Sequence, residues 1–127
     1  MMGVCAGNEL HEIGMRMVAD FFELSGWDSI FLGSNIPTLF VIEQLKATPT
    51  DLIAISATNA NHLYDVQVLI NKIKTDDALK HIKIMVGGRA FNETPNLWKK
   101  MNADGFATDA EQAVMLGELL VRGETHG

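Results

Sequence analysis

Short, fully apolar runs alternate along the chain with stretches whose apolar residues recur at helical spacing. The first run, Met2 to Ala6, reads as a strand. From Glu12 to Ser25, Ile13, Met17, Val18, Phe21 and Phe22 fall on one helical face, and Gly26 follows as a stop. A second strand is expected over Ser29 to Leu32. Gly33 to Pro37 then form a loop, and Thr38 is placed to cap a helix reaching about Lys46. Leu52 to Ser56 make a third strand. Leu63, Val66, Leu69, Ile70 and Ile73 share one face of a third helix. A fourth strand spans Ile82 to Val86, a short helix Thr94 to Met101, and a fifth strand Gly105 to Ala107. Thr108-Asp109-Ala110-Glu111 has the form of a capping box, opening a last helix that carries Val114, Leu119 and Leu120.

Strands separated by helices of this length imply parallel pairing with right-handed crossovers. The expectation is an α/β fold of three layers. It is flavodoxin-like (Rossmann-like), with a five-stranded parallel sheet in the order 2-1-3-4-5. The 127 residues are read as one domain, without repeat, low-complexity tract or linker. In such a sheet, ligands bind beyond the carboxyl ends of the strands.

Charge and composition narrow the chemistry. Lys and Arg total 10 against 16 Asp and Glu, a net charge of −6, which disfavours direct nucleic-acid or anionic-membrane binding. Cys5 is the single cysteine, so no internal disulfide forms. It sits in an apolar run and reads as a small buried hydrophobe. No apolar run approaches the roughly 20 residues that span a bilayer, and the N-terminus lacks the pattern of a signal peptide. A cytoplasmic protein is the expectation. Trp27, Trp98 and the methionines are assigned to packing, and His62, His81 and His126 to solvated positions.

One run stands apart. Asn8-Glu9-Leu10-His11-Glu12-Ile13-Gly14 follows the first strand directly. A neutral imidazole can ligate a metal through one ring nitrogen while the other donates its proton to a carboxylate. Glu9 is the nearest such carboxylate, and Gly14 lets a bulky ligand approach the backbone. Two further elements lie on the same expected rim: Ser56-Ala57-Thr58 at the end of the third strand, and Gly87-Gly88 after the fourth. Between Gly14 and Ser56 lie 41 residues, and between Thr58 and Gly87 lie 28. Taken singly, Ser56 is an ordinary strand-end hydroxyl and Gly87-Gly88 an ordinary turn.

Together, at these spacings, they resemble the cobalamin-binding domain family, whose pattern is Asp-x-His-x-x-Gly, then Ser-x-Leu, then Gly-Gly. The resemblance covers nearly the whole chain. It implies a cobalamin, as adenosylcobalamin or methylcobalamin, with His11 as the lower axial ligand to cobalt. The cofactor's own dimethylbenzimidazole is then displaced, and its nucleotide tail inserts into the sheet. On this reading Glu9, Glu12, Ile13 and Gly14 surround the ligating histidine. Ser56 hydrogen-bonds the buried base, Thr58 lines the same slot, and Gly87, Gly88 and Gly33 let the tail pass close to the backbone. Arg89, Asn92 and Asp109 sit on the same rim.

Two positions depart from the pattern: Glu9 replaces the usual Asp, and Thr58 the usual Leu. The Glu is more in character with regulatory and light-sensing members. A sensor or photoreceptor module without catalysis of its own is therefore the leading expectation, with a corrinoid methyl carrier or a mutase subunit as alternatives. The resemblance further implies a helical cap or effector domain, in cis or in trans, above the corrin. The chain starts at the first strand, so it is read as a fragment or module lacking that cap. Other users of this fold are disfavoured. The third strand ends in Ser56-Ala57 and not in a phosphate-accepting Asp, and no glycine-rich phosphate loop is present. Position 15 is Met, where a zinc-protease motif would need its second His.

Overall fold

The computed structural model describes residues 1–6 and 12–123. Five strands, β1 (Met2–Ala6), β2 (Ile30–Ser34), β3 (Leu52–Ala57), β4 (Lys83–Gly87) and β5 (Gly105–Phe106), form one sheet in the order β2-β1-β3-β4-β5. All four neighbouring pairs are parallel, as expected. Helices α1 (Glu12–Leu24) and α6 (Ala110–Gly123) cover one face. Helices α2 (Thr38–Ala47) and α3 (Leu63–Thr75) cover the other. Two short helices, α4 (Arg89–Asn92) and α5 (Leu97–Lys100), connect β4 to β5.

Strand alternation divides the core into two halves. Ile53, Ile55 and Ala57 of β3 join Val41, Leu45, Val66, Ile70 and Ile73 beneath α2 and α3. Leu52 and Ala54, of the opposite parity, join Met15, Ala19, Phe22, Ala113 and Val114 beneath α1 and α6. Both faces of the central strands are covered, which is why they read as continuous apolar runs.

Where α1 ends, Gly26 has φ +96°. Its N–H donates to the Glu23 carbonyl (3.0 Å), and the Trp27 N–H donates to that of Phe22 (2.9 Å). This is a Schellman ending. Its accompanying apolar contact is the edge-to-face pair of Phe22 and Trp27, with ring centroids 5.0 Å apart.

Several local expectations are corrected. Met17 is 52% and Leu119 66% exposed, so neither belongs to the buried face of its helix. The stripe of α1 that meets the sheet runs through Met15, Ala19 and Phe22 instead. Met115 is exposed too, so the methionines are not uniformly core. On α6 the sheet-facing position is Gly117, where a Cβ would stand 2.7 Å from Leu52 Cδ2 and 2.9 Å from the Phe22 ring. Thr38 makes no side-chain cap, because the N-cap position of α2 is Pro37. Gly33 and Ser34 extend β2 and do not open the loop.

The expected helix over Thr94 to Met101 is confined to Leu97–Lys100, entered through a left-handed Asn96 (φ 65°), and a further short helix, Arg89–Asn92, precedes it. The capping box of α6 is shifted by one residue. Asp109 Oδ1 accepts from the Gln112 N–H (2.8 Å), and Gln112 Oε1 accepts from the Thr108 hydroxyl.

Candidate cofactor-binding site

Towards the carboxyl ends of β3, β4 and β5, α1 and α6 part and leave a cavity of about 260 Å³. Its floor is Ala54 and Ser56 of β3 with Met85 and Gly87 of β4. Met15 and Val18 of α1 form one wall, and Ala110 and Ala113 of α6 the other. Met17, Gly88, Thr108 and Asp109 edge the opening. The register explains the floor. Ser56 is paired with Cys5 on β1 and with Gly87 on β4, and it shares the parity of Leu52 and Ala54. Its hydroxyl therefore faces the α1/α6 layer. It has no hydrogen-bond partner among the described residues.

The two glycines are there for distinct reasons. A Cβ on Gly87 would stand 2.8 Å from the Ala107 carbonyl oxygen, and one on Gly88 only 2.4 Å from that of Ala57. Gly88 also has φ +100°, a conformation that a side chain strains. The double glycine thus lets the end of β4 lie against β3 and β5 while leaving the slot open.

Of the residues singled out from the sequence, Ser56, Gly87, Gly88 and Asp109 come together around this slot. Thr58 lies one residue beyond β3, half-buried, and does not line it; Gly33, with φ +102° in β2, does not line it either. Arg89 is exposed, 3.9 Å from the Glu93 carboxylate, and Asn92 is exposed. Glu9 and His11 lie outside the described residues, as does His126. Of Glu12, Ile13 and Gly14 only the backbone is described, as the start of α1. Among the described residues, no cluster of His, Cys, Asp or Glu is arranged to hold a metal ion. A lone axial imidazole needs no such cluster.

Sequence reasoning missed the apolar walls. Met15, Met85, Ala54, Ala110 and Ala113 carry no motif. Ala110 and Ala113 open the last helix directly after β5, and small residues there were the available signal. A second cavity, of about 270 Å³, was also missed. It lies on the α2/α3 side, lined by Val4, Ala6, Asn35, Thr38, His62 and Asp65 among others, so His62 is half-buried and not simply solvated.

A model of the B12 binding domain matches residues 1–115. The chain belongs to that family. Among relatives, it is 30% identical over 107 residues to dimethylamine corrinoid protein 3 of Methanosarcina acetivorans, covering 84% of this chain and 49% of that protein. It is 26% identical over 122 residues to a corrinoid protein of Desulfitobacterium hafniense, covering 95% and 55%. The chain spans about half the length of the curated relatives it matches.

Among solved structures, the monomethylamine corrinoid protein of Methanosarcina barkeri superposes with a TM-score of 0.80 at 20% identity. The match covers 94% of this chain and 57% of that one. A chain of the methanol:cobalamin methyltransferase complex from the same organism superposes at 0.78 and 18% identity, covering 96% and 46%. These likenesses show the flavodoxin-like fold of corrinoid proteins. Binding of a corrinoid follows from the family. Among the described residues, no helix is long and apolar enough to cross a membrane.

Proposed function

We propose that this B12-binding domain is the corrinoid-holding module of a methyl-transfer system. The single observation that carries the choice is the identity of its relatives. The first curated ones are dimethylamine corrinoid proteins, and a solved neighbour comes from a methanol:cobalamin methyltransferase complex. Nothing comparable supports the sensor or photoreceptor expectation, which rested on Glu9 and on the lack of any barrel pattern in the chain.

The slot suits the cofactor's tail on three counts. It is walled by apolar side chains, it has one unpartnered hydroxyl on its floor, and its glycines keep the backbone accessible. In this reading the tail enters between α1 and α6, and Ser56 donates to the displaced base. Gly87 and Gly88 pass the tail along the end of β4.

His11 would hold the cobalt through one ring nitrogen, and Glu9 would accept a hydrogen bond from the N–H of the other, fixing the tautomer. When bound, the cobalt supplies a centre that accepts and releases a methyl group. The domain's own residues fix the corrin's orientation and keep its base away. A partner, in cis or in trans, covers the upper face and performs the transfer. As one module of a larger system, residues 1–127 catalyse nothing alone.

The test loads the domain with methylcobalamin and mixes it with a thiol and a corrinoid-dependent methyltransferase that passes the methyl cation to that thiol, giving the thioether and leaving cob(I)alamin. Loss of methyl–cobalt absorbance only when the enzyme is present supports a carrier. Absorbance unmoved by the enzyme, with an association state that changes on illumination, returns the reading to a sensor.

A further inference from the structure

The α1/α6 slot also bears on which corrinoids the domain accepts, and this rests on the reading that the nucleotide tail enters it. Polar side chains in the slot are few. Thr108 and Asp109 stand at the lip, and both are engaged with Gln112. The Thr108 hydroxyl donates to Gln112 Oε1, and Asp109 Oδ1 accepts from the Gln112 N–H at 2.8 Å. Below the lip the described side chains are Met15, Val18, Ala54, Met85, Ala110 and Ala113, with Ser56 as the one polar exception among them. The Ser56 hydroxyl has no partner among the described residues and so has one proton to give.

We infer that the slot selects corrinoids whose lower base is a benzimidazole over those whose base is a purine. A benzimidazole freed from cobalt presents a hydrocarbon edge and a single ring nitrogen with a lone pair. Ser56 answers that nitrogen, and the methionines and alanines answer the edge. Adenine brings further ring nitrogens and an exocyclic amine. The described side chains below the lip offer these groups no partner beyond Ser56. A site with few matching polar groups rejects a ligand that brings unmatched ones, because each is stripped of water without replacement. One such orphaned group costs on the order of tenfold in affinity or more. The methionine walls adapt in shape and so tolerate ring substituents. The selection is therefore by polarity and not by outline.

The experiment titrates the domain with four corrinoids and follows absorbance. They are cobalamin, the adenine-based cobamide, a phenol-based cobamide and tail-less cobinamide. Each affinity is corrected for that corrinoid's own base-on to base-off equilibrium in free solution. The expected result is that cobalamin binds at least about tenfold tighter than the adenine cobamide. Ser56→Ala should then weaken cobalamin about tenfold while leaving the phenol-based cobamide, which has no ring nitrogen to satisfy, within about twofold.

Equal corrected affinities for cobalamin and the adenine cobamide, both far tighter than cobinamide, would overturn the selectivity and leave tail insertion standing. An unaltered cobalamin affinity in Ser56→Ala would overturn the assignment of Ser56 as the discriminating donor. If cobinamide binds as tightly as cobalamin, the slot is not used at all, and the reading beneath this inference fails first. Circular dichroism of Ser56→Ala, unchanged from wild type, separates loss of the hydroxyl from loss of the fold.

Discussion

The two ends of the α1/α6 layer are built from the same pair of helices on the same sheet, yet they do opposite things. At the amino edge of the sheet, Phe22 is fully buried and Trp27 closes edge-on against it. Gly117 lets α6 settle against Leu52 and Phe22 so closely that no Cβ fits. At the carboxyl edge, Ala110, Ala113, Gly87 and Ser56 hold the space open. Small residues serve both ends in opposite senses: glycine at 117 brings backbone and side chains together, while alanine at 110 and 113 leaves them apart. The dense end anchors the helices, so the open end need not collapse to bury its apolar walls.

The largest effect should come from breaking the dense end. Phe22→Ala removes a fully buried ring and should lower stability by about 3–5 kcal/mol, read by urea denaturation. A loss well under that would mean that the layer is not anchored there. Next is Gly88→Ala, which combines a positive φ with a 2.4 Å approach to the Ala57 carbonyl. It should cost about 1–3 kcal/mol, and corrinoid affinity should fall with it, since Gly88 belongs both to the strand packing and to the lip.

Ala113→Leu should separate the two ends. Its added carbons have room in the slot, so the midpoint of thermal unfolding should stay within about 4 °C of wild type. Cobalamin affinity should nevertheless drop by at least about tenfold, or 1.4 kcal/mol. Full affinity in this variant would show that the tail does not lie between α1 and α6.

The smallest effect is on the opposite layer. There Lys46 of α2 holds the carboxylate of Asp76, just past α3, at 2.9 Å. The Lys46 hydrogen bond, helped by the Ala78 N–H, keeps the Asp76 carboxyl below its ordinary range. What this contributes is present above the ordinary carboxylate pKa and is lost as the pH falls through the depressed value. Lys46→Ala should raise the Asp76 titration midpoint seen by NMR, barely move stability because the pair is exposed, and leave cobalamin affinity unchanged.

The sheet was legible because each central strand is buried on both faces and so spells an uninterrupted apolar run, as Leu52 to Ile55 and Ile84 to Val86 do. The strand order followed from the helices between them. Helix faces were less legible. α1 carries apolar residues at Met15, Met17, Val18, Phe21 and Phe22, more than one stripe can bury. Periodicity alone could not tell that Met15 and Ala19 face the sheet while Met17 faces out.

The rim of the site was legible where chemistry demands a residue type, at Ser56 and Gly87-Gly88. Its walls were not, because Met85, Ala110 and Ala113 act only by their size and by where distant elements place them. Thr58 is a related case: it is half-buried one residue past the end of β3 and does not line the cavity. Spacing places it near the motif, but β3 ends at Ala57, so strand parity no longer fixes where position 58 faces.

The central claim is that the domain holds its corrinoid with the base displaced towards the open end of this layer and His11 on the cobalt. The most direct measurement is the electron paramagnetic resonance spectrum of bound cob(II)alamin in protein whose histidines carry ¹⁵N. Displacement predicts that the splitting from the axial nitrogen changes from a triplet in unlabelled protein to a doublet in labelled protein. A triplet in both would mean that the cofactor's own base still sits on cobalt, which contradicts its displacement by His11.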